Sequence, residues 1–133
     1  MPVLVDTSIW IDYLRGVEPA AGELERLVAD REVVCCGPVL AELVTGTVLA
    51  QRDEVVLSLA ALPLLDLGPQ RWIRAGALAH ELRSRGTSVP LIDLLIAVAA
   101  VEEDAELWTR DGDFEQVAAA EHRLRLYRPR DER

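Results

Sequence analysis

The chain has 133 residues, enough for one buried core but not for two, and its 14 basic and 23 acidic side chains leave a net charge of −9. All 14 basic residues are arginine, which excludes a Walker-A phosphate loop and lysine Schiff-base chemistry. The acidity argues against a protein that merely coats nucleic acid or an anionic membrane, and the hydrophobic half of the composition argues against disorder.

No apolar run reaches about 18 residues and no signal-peptide pattern opens the chain, so a soluble, cytoplasmic, single domain over residues 1–133 is expected, with no membrane association. Val3, Leu4 and Val5 form a short strand-like run that ends at Asp6, where a helix start follows. Pro19 opens a helical segment with Leu24, Leu27 and Val28 on one face. Residues 33–36 are a second apolar run, stopped by Gly37 and Pro38, and proline fits a first helical turn. Val48, Val55, Val56 and Leu59 repeat with helical period, and residues 62–67 are a weaker third run. Trp72, Ala75, Ala79 and Leu82 form a stripe closed by Gly86. Residues 106–109 and 124–127 are the fourth and fifth runs, with Phe114, Val117 and Ala118 on a short helix between them. Strands alternating with helices predict an α/β fold, an α/β/α sandwich around a central parallel sheet of four to five strands. In such sheets, sites form at the carboxyl ends of the strands.

The usual nucleophiles have little support there. Cys35 and Cys36 are adjacent, with no C-x-x-C spacing, and read as reduced residues of a buried strand. His80 and His122 are far apart, and no serine sits in a G-x-S-x-G elbow.

Carboxylates are better placed. Asp6 ends the first run, and Asp111 and Asp113 follow the fourth, although any of the three would serve as a helix cap. Glu42 has apolar neighbours and lies four residues past Pro38. Asp93 lies three residues past Pro90, at the start of a stretch apolar nearly all round and therefore buried. A buried carboxylate must be paired, protonated or bound to metal. Glu42 and Asp93 are both expected to project from a first helical turn beside the strand ends. Crowded acids need a counter-charge, and hard oxygen donors without His or Cys select Mg²⁺ or Mn²⁺. Such an ion would activate water against a phosphodiester and offset the net negative charge.

The stretches Val5-Asp6-Thr7-Ser8-Ile9-Trp10-Ile11-Asp12-Tyr13-Leu14, Ala41-Glu42-Leu43, Leu91-Ile92-Asp93-Leu94-Leu95-Ile96-Ala97 and Thr109-Arg110-Asp111-Gly112-Asp113-Phe114 together resemble the PIN-domain family and, within it, the VapC toxins of bacterial toxin–antitoxin pairs. The resemblance spans essentially the whole chain. It implies a PIN-like fold, an endoribonuclease dependent on Mg²⁺ or Mn²⁺, products with 5′-phosphate and 3′-hydroxyl ends, and a homodimer. It maps the acidic quartet onto Asp6, Glu42, Asp93 and Asp111, with Asp113 as an additional acid and Ser8 and Thr109 as supporting hydroxyls. Asp6 and Asp93 would be the primary metal ligands. Glu42 and Asp111 would complete the shell or orient the attacking water. Arg15 and Arg110 are the arginines nearest the site for gripping RNA. Asp12, six residues beyond Asp6, falls on a different helix face and reads as a surface or ion-pair residue. The resemblance also implies a small antitoxin whose basic tail would place a side chain in the Asp6–Asp93 cluster.

Two other readings stand beside this one. One is a non-catalytic module whose acidic pocket binds a basic peptide; its mark would be a broken quartet, and this quartet is complete. The other is an aspartyl-phosphate or receiver-like domain, which the absence of lysine disfavours.

Overall fold

The computed structural model describes residues 1–46 and 49–130, side chains at 49–51 aside. A short strand, β1 (Val3–Val5), occupies the centre of a parallel sheet, with β2 (Val33–Val34) on one side and β3 (Glu106–Trp108) on the other. All three residues of β1 are buried, as expected for a parallel strand covered on both faces. The sheet has three strands among the described residues rather than the expected four to five. Residues 62–67 and 124–127 do lie along its two edges, but each joins through a single parallel bridge, Leu64 to Cys35 and Leu126 to Leu107. Prolines account for the shortness: Pro63 and Pro129 have no N–H to extend a ladder.

Seven helices fill the connections among the described residues: α1 (Thr7–Leu14), α2 (Ala20–Ala29), α3 (Gly37–Gly46), α4 (Leu49–Ala60), α5 (Pro69–Ser84), α6 (Leu91–Glu102) and α7 (Asp113–Ala120). They associate in two groups. In one, α1 packs on α2 and α3, and α3 on α4; in the other, α6 packs on α5, α7 and β3. The expected apolar faces are largely the buried ones. Leu24, Leu27, Val55, Leu59, Ala75, Leu82, Phe114 and Val117 are all in the core. Trp72 is not: it is 44% exposed and its Nε1 donates to the Leu67 carbonyl at 2.9 Å. The buried face of α5 runs through Leu78 instead. Val28 and Val56 are also exposed, and Val48 lies outside the described residues. Gly86 ends α5 as expected, at φ +79°, a conformation that only glycine adopts without strain.

Helix α6 is the most deeply buried of the helices. Every residue from 94 to 100 is buried, and the helix is only 12 residues long. Among the described residues no helix is long and apolar enough to cross a membrane. Cys35 and Cys36 are free thiols without solvent exposure. Burial pushes them up to about 11 and about 12 respectively, so they remain protonated and inert.

Candidate metal centre

The pairing of β1 with β3 creates the site. Val5 is in register with Trp108, so the residues that follow them, Asp6 and Thr109, emerge side by side. The Asp6 N–H closes the ladder on the Trp108 carbonyl at 2.9 Å. Asp6 is the N-cap residue of α1, yet its side chain makes no capping bond. Instead Oδ2 accepts from Ser8 Oγ at 3.1 Å and from Thr109 Oγ1 at 2.8 Å. Asp6 is only 6% exposed. A buried carboxylate that leaves the N–H groups of its own helix uncapped is held for another purpose.

The hydrogen bonds continue into the loop after β3. Thr109 Oγ1 accepts the Asp111 N–H at 3.0 Å. Asp111 Oδ1 accepts the Asp113 N–H at 2.9 Å, which caps the first turn of α7. One oxygen of Asp111 thus fastens the start of α7, as the capping reading expects. Behind the loop Phe114 is fully buried.

Asp93 is the third residue of α6, so it does stand in a first turn, where the helix dipole favours its charge. One carboxylate oxygen each from Asp93, Asp111 and Asp113 all lie within 4.8 Å of one another. Asp6 and Glu42 stand outside this triple but act on it. Burial pushes Asp93 up to about 6, and the charges of Asp111, Asp6, Glu42 and Asp113 add to the effect in that order. Among the described residues no arginine forms an ion pair with Asp93, Asp6, Glu42, Asp111 or Asp113.

Glu42 corrects one expectation. Helix α3 begins at Gly37, which makes Glu42 its sixth residue and places it in the second turn. The turn begins early because Cys36 already offers its carbonyl to the Leu40 N–H. Glu42 nonetheless reaches the site: partial burial raises its pKa, and the charge of Asp6 raises it further.

The titratable side chains gathered here offer oxygen donors alone. The two thiols are buried and protonated, and both histidines are exposed. That donor set suits Mg²⁺ or Mn²⁺. A separate groove of about 590 Å³ is lined by Trp10, Tyr13, Val28, Leu43, Val55 and Leu59, and none of the five acids borders it.

Residues 3–120 match the PIN domain. The chain belongs to the PIN-domain family. It is 36% identical over 117 residues to a protein named Ribonuclease VapC32 of Mycobacterium tuberculosis, covering 88% of this chain and 90% of that one. It is 31% identical over 122 residues to VapC ribonuclease Mb1587 of Mycobacterium bovis, covering 87% and 91%. Among solved structures, VapBC2 of Rickettsia felis, bound to a promoter DNA fragment, aligns with a TM-score of 0.75 at 25% identity over 96% of this chain and 98% of that one.

In this PIN domain the structure thus brings the five expected acids to one sheet edge, with Ser8 and Thr109 bonded to Asp6. The tightest triple is Asp93, Asp111 and Asp113, whereas the resemblance puts Asp6 and Asp93 foremost. Arg15 is exposed at the end of α1. Arg110 is exposed too, but its guanidinium lies on Asp12, with Nε 2.6 Å from Oδ2 and Nη2 donating to Oδ1 at 2.9 Å. Asp12 is therefore the ion-pair residue expected. A second network had no signal in the sequence: Tyr127 Oη donates to Glu23, which also pairs with Arg26 at 2.6 Å. It ties the last sheet edge to α2. The partners are 101 and 104 residues apart, a separation that no local pattern encodes.

Proposed function

We propose that this chain is a Mg²⁺- or Mn²⁺-dependent endoribonuclease that acts in the cytoplasm as the toxin of a VapBC-type toxin–antitoxin pair. One observation carries the reading. Five carboxylates from distant parts of the chain meet with no arginine paired to them among the described residues, and burial, with the charges of the other four, pushes Asp93 up to about 6. Such an arrangement is costly unless a cation is its counterpart. The ribonuclease names of relatives more than 30% identical over nearly the whole chain support the same activity. The complete acid set does not favour a module that only binds a peptide.

Asp93, Asp111 and Asp113 would hold the ion, with Asp6 and Glu42 completing its surroundings. A divalent cation there supplies positive charge for the phosphoryl oxygens and lowers the pKa of water. The protein supplies orientation. Ser8 and Thr109 both fix Asp6 through Oδ2. Glu42, whose proton affinity is raised, orients the attacking water. Attack at phosphorus forms the new P–O bond and breaks the bond to the 3′-oxygen, giving 5′-phosphate and 3′-hydroxyl ends. Arg15, exposed at the end of α1, is the arginine to which we assign a grip on the RNA backbone. Arg110, expected in the same role, is occupied by Asp12.

The same acidity serves regulation. A basic side chain of a small antitoxin's tail would enter the Asp6–Asp93 cluster in place of the ion, as arginine binds carboxylates bidentately. A homodimer is the proposed assembly, with the apolar side chains of α4, of which Leu57 is 74% exposed, as a candidate surface.

Purified protein incubated with RNA and Mg²⁺ or Mn²⁺ is expected to generate fragments with 5′-phosphate ends, to stop in EDTA, and to resume when the metal is restored in excess. Cleavage indifferent to EDTA would refute the metal-dependent reading.

A further inference from the structure

One face of α1 grips a single residue of the loop after β3 at two points. Ser8 and Asp12 are four residues apart, so their side chains stand one above the other on the helix. Ser8 Oγ accepts the backbone N–H of Arg110 at 3.1 Å. Asp12 takes the guanidinium of the same residue through both oxygens, at 2.6 and 2.9 Å. The Asp12 side chain is 13% exposed and that of Arg110 58%, so the carboxylate is held in place while the guanidinium lies over it from the solvent side.

The loop needs such a grip. Between the buried Trp108 and Phe114 no side chain is buried: Thr109 and Asp113 are half-buried, and Arg110, Asp111 and Gly112 are exposed. Apolar packing therefore does not fix the path of the backbone, and polar contacts must. Thr109 holds Asp6 on one side of Arg110, and the Asp111 N–H returns to Thr109 on the other. A shift of Arg110 would move both.

We propose that the Asp12–Arg110 pair is a latch that sets the position of the loop over residues 109–113, making Asp12 a positioning residue for the carboxylates of Asp111 and Asp113. The consequence for metal binding rests on the reading that these carboxylates hold a divalent cation. The planar fork of arginine is essential to it, because lysine offers a point charge without the two-bond geometry. Arg110 in this role is part of the scaffold rather than an RNA contact.

The test uses Asp12→Asn, Arg110→Lys and the double variant in the full chain. In metal-free protein, amide exchange at Arg110 and Asp111, read by NMR, is expected to quicken about fivefold in each single variant, the upper end for an exposed ion pair. Mn²⁺ affinity is expected to fall about tenfold, as when a partner that orients a metal ligand is lost. The turnover number should fall with KM for RNA unchanged, and the double variant should be no worse than either single one. Unchanged exchange and unchanged Mn²⁺ affinity in Asp12→Asn would overturn the latch. So would an Arg110→Lys protein whose only defect is a raised KM, the mark of an RNA contact. Should wild-type protein bind no Mn²⁺ while Asp12→Asn still loosens the two amides, the latch stands and the metal reading falls.

Discussion

Replacing Asp93 by asparagine is expected to lower RNA cleavage about a thousandfold, the scale of losing a principal charge-stabilising group, while making the metal-free protein more stable. The two effects share one cause. Asp93 sits at the start of the innermost helix among four other acids, and burial and their charges hold its carboxyl at about 6 against an ordinary 3.8. A folded-state pKa above the unfolded value means that the folded protein binds more protons between those limits. Asp93 therefore costs no stability below about pH 4, and the cost grows as pH rises through 6. The full shift corresponds to about 3 kcal/mol, and for a half-buried group solvent screening reduces that to about 1 kcal/mol. Glu23 and Glu121, whose pKa values are lowered by contact with Arg26 and Arg123, act with the opposite sign. They cancel when wild type and variant are compared. Urea unfolding of both proteins in EDTA should show Asp93→Asn gaining about 1 kcal/mol on the wild type between pH 4 and 7. A difference that stays flat across that window would mean that Asp93 is neither buried nor crowded as described.

Phe114→Ala is expected to destabilise the protein by about 3–5 kcal/mol. Phe114 is the largest fully buried side chain among the described residues. It is the second residue of α7, immediately after Asp113, and so anchors the helix on which one end of the acidic loop is mounted. A domain of this size has about 5–15 kcal/mol in all, so the variant should be partly unfolded at 37 °C and lose activity with structure. Phe114→Leu retains most of the volume and should lose much less. Thermal unfolding with both variants checks this; an alanine variant within about 1 kcal/mol of wild type would show that the cavity collapses and that the anchor lies elsewhere.

The sequence disclosed more of the site than of the scaffold's detail. The five acids were legible because each breaks a local rule: Asp93 interrupts an apolar helix, Glu42 has apolar neighbours, and Asp6, Asp111 and Asp113 end strands whose carboxyl ends must share an edge. That Asp6 does not cap its helix was not legible, since it depends on Val5 pairing with Trp108 across more than a hundred residues. The same long-range register gives Thr109 to Asp6. The extended character of residues 62–67 and 124–127 was visible, but the amount of backbone each contributes to the sheet was not, because flanking prolines limit both to single bridges. Glu42 lies in the second turn because four residues past Pro38 already exceed one turn of 3.6 residues, and the Cys36 carbonyl starts α3 one residue earlier still. Arg110 was read from its position next to Asp111, whereas its partner is decided by the facing helix. The four-residue spacing of Ser8 and Asp12 was the available signal, and it acquires meaning only once α1 lies beside the loop.

The crowded acids are proposed as the seat of a divalent cation. Calorimetric titration of Mn²⁺ into metal-free protein at pH 6, in buffers of differing ionisation heat, tests it most directly. Saturable binding with release of protons is expected, because Asp93 is partly protonated there and must give up its proton to bind metal, and Asp93→Asn should lose both the affinity and the proton release. Wild-type protein that takes up no Mn²⁺, or a variant that binds it as tightly as wild type does, would contradict the claim.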